Sequence, residues 1–386
     1  MSYYKKKICV VSSSRAEFGI LKNLINQLQR EKKLTTKLVV LDNHKIYKNK
    51  NKSSELNELK IKKYLKIKLP LRFEKTIDII NRSSIILKRL SNFLKNEKVN
   101  LIVLLGDRYE ILVSAYVAVL NKIPIAHISG GDETKGSYDN QFRHAISKFS
   151  NFHFVTNKLS EKRLKKMGEN KNVIFNYGSL SMENIKKVKK VNKFTIEKNY
   201  SVKLKKKNFI VTYHPETLSG NLRKKVINLI ESLIYFKDYM FIFTSPNNDE
   251  GSDLIKKIIL KYVKRYNNIK YFDSLGQYRY FQFLHIVDGV IGNSSSGVCE
   301  VPSFKIGTIN IGNRQDGRLK LKNVVNVGYS KKAIIKAVKK ILSKSFLENI
   351  KDLKNPYFKE NTTSNIINKI KFILKKNISI EKKFNE

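Results

Sequence analysis

Short apolar runs that end in small or polar residues recur along the chain and alternate with stretches of helical spacing. Ile8 to Val11 leads into Ser12-Ser13-Ser14-Arg15-Ala16-Glu17-Phe18-Gly19, after which Ile20, Leu21, Leu24, Ile25 and Leu28 share one helical face. Leu38 to Leu41 reads as a second strand. Leu101 to Leu105 is apolar throughout and stops at Gly106-Asp107, with a helix through Ile111, Ala115, Ala118 and Val119 behind it. Pro124 to Ile128 closes on Ser129-Gly130-Gly131, and Phe152 to Val155 and Val173 to Phe175 continue the row. Strands without polar alternation are covered on both faces, so the pattern predicts a parallel sheet between two layers of helices.

Between Ser181 and Lys207 the composition shifts to lysine, valine and asparagine, and this stretch reads as a linker. A second series follows. Asn208 to Tyr213 ends at His214-Pro215-Glu216-Thr217, Met240 to Thr244 at Ser245-Pro246-Asn247, Gly289 to Gly292 at Asn293-Ser294-Ser295-Ser296-Gly297, and Ile306 to Ile311 at Gly312-Asn313-Arg314. The expected organisation is a Rossmann-like domain over 1–180, the linker 181–207, and a second Rossmann-like domain over 208–360. From 361 to 386 an amphipathic helix, through Ile366, Ile367, Ile370, Ile373 and Leu374, packs back on the first domain and ends in a charged, frayed tail. The fold class is therefore α/β, two doubly wound domains facing a cleft, with every polar cluster at the carboxyl end of a strand, where open α/β sheets bind ligands.

Charge alters this picture less than its size suggests. The 386 residues carry 77 Lys and Arg against 32 Asp and Glu, a formal net charge of +45. Only 13 of the cations are arginine, and the lysines are spread over every helical segment. A nucleic-acid reader concentrates arginine and shows an aromatic or zinc-finger motif, and neither is present, so a solvated lysine-rich surface is the reading adopted. A basic nucleic-acid-binding α/β protein stays as the alternative from another class. Cys9 and Cys299 lack CxxC spacing, which argues against a thiolate metal site and fits a reducing cytoplasm. No apolar run approaches the roughly 18 residues a membrane span needs, and the start reads as a first strand rather than a signal peptide.

The polar clusters offer specific chemistry. Ser294, Ser295 and Ser296 precede a helix whose amides, with the hydroxyls, suit a phosphate or diphosphate, although a capped turn has the same sequence. Glu300, expected in the first turn of that helix, suits a ribose diol or simply stabilises the helix start. Pro215 keeps His214 in extended backbone at the sheet edge, where an imidazole can meet a phosphate or move a proton. Arg15 is the corresponding cation of the first half. Asp107, Asp132, Glu133 and Asp139 follow consecutive strands, and neighbouring carboxylates can divide the roles of acid and base. Arg143 stands four residues after Asp139 and can pair with it. Capping by Asp107, a tight glycine turn and a solvated loop are the structural alternatives.

Taken in order, SSSRAEFG (12–19), LLGDRYE (104–110), IPIAHISGGDETKGSYDNQFRHAISK (123–148), HFVTN (153–157), YGSLSMEN (177–184), VTYHPET (211–217) and GNSSSGVCEVPSFKIGTINIGNRQDGR (292–318) resemble the UDP-N-acetylglucosamine 2-epimerases. The GDRYE, GGDET, RHAISK and HPET stretches are similar to the hydrolysing branch that supplies N-acetylmannosamine for sialic-acid biosynthesis. The resemblance implies a glycosyltransferase-B-like architecture, a UDP-sugar substrate, a homo-oligomer, and chemistry that needs neither cofactor nor metal. UDP leaves C1 as the C2 proton is removed, and water then adds to the glycal-like intermediate. It also implies acid/base roles for Asp107 and Asp139, diphosphate contacts for Arg15, His214 and serines 294–296, ribose binding by Glu300, and an orienting role for Arg143.

Three features depart from the family pattern. Ser129 stands where many relatives carry a glutamate, which moves that function to Asp132 or Glu133. Asn140 stands where a second acid is common, and DNHKIYKNKNKSSELN after Leu41 replaces a glycine-rich turn, with His44 alone familiar. The expected activity is hydrolytic 2-epimerisation of UDP-GlcNAc to N-acetylmannosamine and UDP in the cytoplasm. The nearest alternatives are the same reaction on UDP-N,N'-diacetylbacillosamine, a non-hydrolysing epimerase, and a glycosyltransferase of the same architecture.

Overall fold

The structure, a computed structural model, describes residues 5–41, 64–70, 76–216, 218, 220–247 and 249–386, with Arg15 defined by its backbone alone. His44 and the segment replacing the glycine-rich turn lie outside the described residues. The chain divides into two compact units. One comprises Met1–Asp132, Asp139–Lys186 and Tyr357–Glu386, and the other Glu133–Tyr138 and Lys187–Pro356.

The first unit is built on seven strands, β1 (Lys6–Ser12), β2 (Leu34–Leu41), β3 (Leu65–Ile67), β4 (Leu101–Leu105), β5 (Ile125–Ile128), β6 (Phe152–Val155) and β7 (Ile174–Asn176). Their order is β3-β2-β1-β4-β5-β6-β7, and every pairing is parallel. Successive side chains of a strand point to opposite faces, and both faces here are dry. Ile8 and Val10 join a core with Phe18, Leu21, Leu24, Ile366 and Ile370, while Cys9 and Val11 join another with Ile86, Leu90, Ile111 and Ala115. That double burial is why these strands carry no polar alternation.

The second unit has six parallel strands, β8 (Lys207–Thr212), β9 (Tyr239–Thr244), β10 (Ile269–Phe272), β11 (Gly289–Gly292), β12 (Gly307–Ile311) and β13 (Val324–Val327), in the order β10-β9-β8-β11-β12-β13. Phe209, Val211, Phe241 and Phe243 anchor its core. In each sheet the order reverses beside the first strand, between β1 and β4 and between β8 and β11. A reversal leaves a crevice at the carboxyl ends of the two central strands, because their connections depart in opposite directions.

Residues 181–207, where the composition suggests a linker, include most of the helix Leu180–Lys186 and the helix Lys193–Tyr200. Asn192 caps it by accepting from the Thr195 amide at 2.9 Å, and Ile196 and Val202 are buried. The C-terminal helix Thr362–Leu374 buries Ile366, Ile367 and Ile370 within the first unit. The tail beyond it is not frayed: Asn151 donates to the Ser379 carbonyl, and Asn385 donates its backbone and side-chain N–H groups to the Gly168 carbonyl at 3.1 and 3.2 Å. Among the described residues no helix is long and apolar enough to cross a membrane.

Candidate active site

In the first unit the polar residues collect at the reversal between β1 and β4. Ser14 caps the helix Arg15–Arg30 by accepting from the Glu17 amide at 3.3 Å, and Glu17 turns back to accept from the Ser13 amide and hydroxyl at 3.0 and 2.6 Å. The motif S-x-x-E is thus a capping arrangement whose carboxylate is buried. Burial pushes the Glu17 carboxyl up to about 7, against the lowering influence of Arg108 and the Ser13 hydrogen bonds. Arg15 opens this helix.

Asp107 lies two residues beyond the end of β4, after Gly106, whose φ of +86° turns the chain. It does not cap the following helix, Tyr109–Leu120, whose N-cap position is Arg108. Its Oδ2 instead pairs with the Nη2 of Arg143, from the helix Asp139–Phe149. Arg143 is 3 % exposed and also donates through Nη1 to the Ser129 carbonyl at 3.0 Å, with Asp132 Oδ2 at 3.9 Å from the same nitrogen. One guanidinium therefore holds groups from the ends of β4 and β5, a longer reach than the spacing of Asp139 and Arg143 suggests. Asp139 sits in the first turn of the same helix and is 8 % exposed.

The carboxylates differ in freedom. Asp132 Oδ1 accepts from the Ser160 hydroxyl and from Asn157 Nδ2 at 3.4 Å, and its side chain is 7 % exposed against 20 % for Asp107. Asn157 in turn caps the helix Lys158–Lys166, so Asp132 is fixed from behind. Glu133 belongs to the other unit, where its carbonyl accepts from Arg318 Nε at 2.8 Å. In the GDRYE motif the remaining residues support the turn. Glu110 is buried and pairs with Arg108 at 3.1 Å, and the Tyr109 hydroxyl accepts from Arg82 at 2.7 Å.

His127, inside β5, is fully buried. Its Nε2 lies 2.8 Å from the Gly106 carbonyl, which can only accept, so Nε2 carries the proton and Nδ1 accepts from the Ser147 hydroxyl at 3.1 Å. Burial holds this imidazole down at about 3. Gly130 makes the room, since a Cβ there would come within 2.8 Å of both His127 Nδ1 and Ser147 Oγ. Ser129 itself has φ +66°, a left-handed backbone that a side chain disfavours and that places its carbonyl on Arg143.

The second unit repeats the arrangement at β8 and β11 with different residues. Asn293 is fully buried, accepts from the His214 amide at 2.7 Å and donates to the His214 carbonyl at 2.9 Å. Its side chain thus extends the β8–β11 ladder by one rung. The Asn293 carbonyl accepts from Gln315 at 2.8 Å and from Arg314 at 3.4 Å. His214 Nδ1 accepts from the Asn247 amide at 3.0 Å, which leaves its proton on Nε2. Asn293 and Gln315 were missed by sequence reasoning; for Asn293 the available signal was a polar residue directly after the wholly buried strand β11.

The serine loop follows. Ser294 Oγ accepts from the Ser296 amide at 3.4 Å, and Ser296 donates to the Tyr280 hydroxyl at 2.9 Å. The helix after it, Ser296–Cys299, is a single turn. Glu300 is therefore at its C-cap and leads into the 3-10 turn Val301–Phe304, a correction to its expected place in a first helical turn. Pro302 is the reason, because it has no N–H to continue α-helical bonding. Gly292 has φ +135°, and a Cβ on it would collide with the Thr212 carbonyl. Gly292→Ala is expected to cost roughly 1–3 kcal/mol, seen as a lower urea midpoint for the second unit.

Among the described residues no group of three or more His, Cys, Asp or Glu is placed to hold a metal ion. Two parallel sheets, each gathering its polar residues at the strand-order reversal, define a doubly wound α/β fold of the glycosyltransferase-B-like class. Over residues 26–371 the chain matches the UDP-N-acetylglucosamine 2-epimerase family, and it belongs to that family of nucleotide-sugar 2-epimerases. It is 38% identical over 353 residues to the GDP/UDP-N,N'-diacetylbacillosamine 2-epimerase (hydrolyzing) of Campylobacter jejuni, covering 89% of this chain and 90% of that one. It is 36% identical over 377 residues to polysialic acid biosynthesis protein P7 of Escherichia coli, covering 96% and 95%. Its fold is similar to that of the UDP-GlcNAc 2-epimerase of Neisseria meningitidis solved with UDP-GlcNAc, with TM-score 0.78 at 17% identity over 95% of this chain and 100% of that one. S. aureus MnaA, solved with UDP, is similar as well, with TM-score 0.81 at 19% identity over 99% and 100%.

Proposed function

We propose that the protein is a hydrolysing 2-epimerase that converts UDP-GlcNAc and water to N-acetylmannosamine and UDP. The observation that carries this reading is the buried Arg143, which fixes Asp107 beside a strand-order reversal with its carboxylate the more exposed of the two on that guanidinium. In the proposed reaction a carboxylate takes the C2 proton while the C1–O bond to UDP breaks, giving a 2-acetamidoglucal. Water then adds its oxygen to C1 as a proton is delivered to C2 on the opposite face. Asp107 and Asp139 are assigned the proton transfers, and Arg143 keeps Asp107 oriented. Asp132, held by Ser160, Asn157 and Arg143, is assigned to positioning the guanidinium rather than to touching the sugar.

The diphosphate is assigned to the loop Ser294–Ser296 with His214, and the ribose to Glu300. His214 suits this role as the Nε2–H tautomer, which donates without needing a positive charge. A hydrolytic outcome is supported by the 38% identical relative, whose name carries the same term. That relative also favours a second reading, in which the sugar is UDP-linked N,N'-diacetylbacillosamine.

The test is turnover of each UDP-sugar in heavy water, followed by NMR. Free UDP with deuterium at C2 of N-acetylmannosamine is expected from UDP-GlcNAc. Release of free sugar from the diacetylated substrate alone would transfer the assignment to the second reading. Deuterated UDP-ManNAc would show a non-hydrolysing epimerase, and UDP release without deuterium at C2 would remove the elimination mechanism.

A further inference from the structure

The C-terminal tail reaches the far end of the helix that carries Arg143. Helix Asp139–Phe149 is about 16 Å long at 1.5 Å per residue. Like any helix it leaves its last four carbonyls without intrahelical partners. Ser150 Oγ accounts for the Ile146 carbonyl at 2.6 Å. The Lys382 ammonium reaches two more of them, the carbonyls of Ser147 and Lys148 at 3.3 and 2.8 Å, and the Ser150 carbonyl just past the helix at 2.6 Å. A cation at a helix C-terminus is also favoured by the helix dipole.

The same ammonium lies 2.7 Å from Glu169 Oε2. Glu169 is buried, which alone would raise its carboxyl, yet hydrogen bonds from His153 at 2.9 Å and from Lys382 hold it down at about 2. Burial pushes Lys382 itself below its usual value, with Glu169 opposing that shift. The tail is fastened on both sides of Lys382. Asn151 bonds the Ser379 carbonyl, Asn385 bonds Gly168, and Phe384 covers Gly168 so closely that a Cβ there would sit 2.6 Å from the ring.

We infer that Lys382 is a positioning residue for the active site, an assignment that rests on the proposed acid/base role of Asp107. Its ammonium closes the C-terminal end of helix Asp139–Phe149 and thereby sets the position of that helix along its axis. Two side chains carry that position to the end of β4. Arg143 pairs with Asp107 directly, and Ser147 bonds His127, whose other nitrogen bonds the carbonyl of Gly106, the neighbour of Asp107. Displacement of a catalytic group by about 1 Å can cost up to ~10²-fold in rate, so a small axial slip at Arg143 is enough to matter.

The experiment compares the full-length enzyme with Lys382→Met, Lys382→Arg and Asn385→Ala by steady-state kinetics and by amide exchange. For Lys382→Met the expectation is faster exchange at residues 143–149, a kcat lower by roughly tenfold, and KM and UDP affinity within about twofold of wild type. Lys382→Arg, which keeps the cation and its donors, restores most of kcat. Asn385→Ala, which removes one of the two bonds to the Gly168 carbonyl and leaves Lys382 in place, shifts both readouts in the same direction by less, and serves if the Met variant does not fold. Unchanged exchange in that helix would overturn the inference, as would faster exchange with wild-type kcat. A wild-type enzyme without turnover on either UDP-sugar would refute the proposed function, and the exchange comparison would still decide whether Lys382 fixes the helix.

Discussion

Asp107→Asn is expected to lower kcat on the UDP-sugar by roughly 10²–10⁴, the usual contribution of a positioned acid or base, and to leave UDP affinity within about twofold. The substitution is close to isosteric, and the asparagine oxygen still accepts from Arg143 Nη2, so the end of β4 keeps its geometry. What disappears is the ability to take up a proton. The proposed UDP contacts at His214 and Ser294–Ser296 belong to the other compact unit, which is why binding and turnover separate. Asp132→Asn provides the comparison. Its Oδ1 accepts from Ser160 and Asn157, and removal of the charge also weakens its pull on Arg143, so lost activity there comes with a lower unfolding midpoint. Calorimetric titration with UDP and a UDP-release assay on both variants decide the matter. If Asp107→Asn retains turnover while Asp132→Asn is inactive with an unchanged midpoint, the proton acceptor is Asp132.

The contrast between these two aspartates shows which parts of the site the sequence discloses. Most of both sheets was legible because the inner strands are short apolar runs ending in polar residues, a local property, whereas the short edge strands β3 and β13 were not predicted. The polar ends also marked the right places, since Asp107, His214 and Asn293 all follow the strands flanking an order reversal. Who pairs with whom was not legible. Spacing along a helix offers Arg143 the partner Asp139 and says nothing of Asp107, 36 residues away, with which the fold pairs its guanidinium. Asp132 and Glu133 are adjacent in sequence and equivalent on paper, yet the chain passes from one unit to the other between them. The same blindness to tertiary partners explains the tail. Lys382 is one lysine among many in a charged segment, and only the folded chain shows the three carbonyls that select it. The net charge of +45 identified none of these cations.

The buried ionisable groups of the first unit predict a stability that falls less steeply between pH 6.5 and 4.5 than below. His127 has an ordinary value of 6.5 and is held at about 3 in the folded protein. Across that interval the unfolded chain binds a proton that the folded chain does not, so stability falls as the pH falls, by about 1.4 kcal/mol per unit and on the order of 5 kcal/mol over the whole span. Glu17 acts in the opposite direction. Its carboxyl is raised from 4.5 to about 7, so between those values the folded state holds the extra proton and its contribution grows as the solution is acidified. Above pH 4.5 the Glu17 slope offsets that of His127 and leaves the histidine of the next strand uncompensated. Below it Glu17 is protonated in both states, whereas Glu169, lowered from 4.5 to about 2, now loses stability alongside His127. His153, paired in register with His127 on the next strand and also lowered by burial, acts in the same sense. Glu17→Gln separates the contributions: without the compensating carboxyl, stability falls more steeply with acidification between pH 6.5 and 4.5 than in the wild type. Urea unfolding at half-unit pH steps, followed by far-UV circular dichroism and localised by amide exchange in β4 and β5, measures both profiles. Identical slopes for wild type and Glu17→Gln between pH 4.5 and 6.5 would show that Glu17 is already ionised in the folded state, and the cap at Ser13 would then hold a carboxylate at every pH above 4.5.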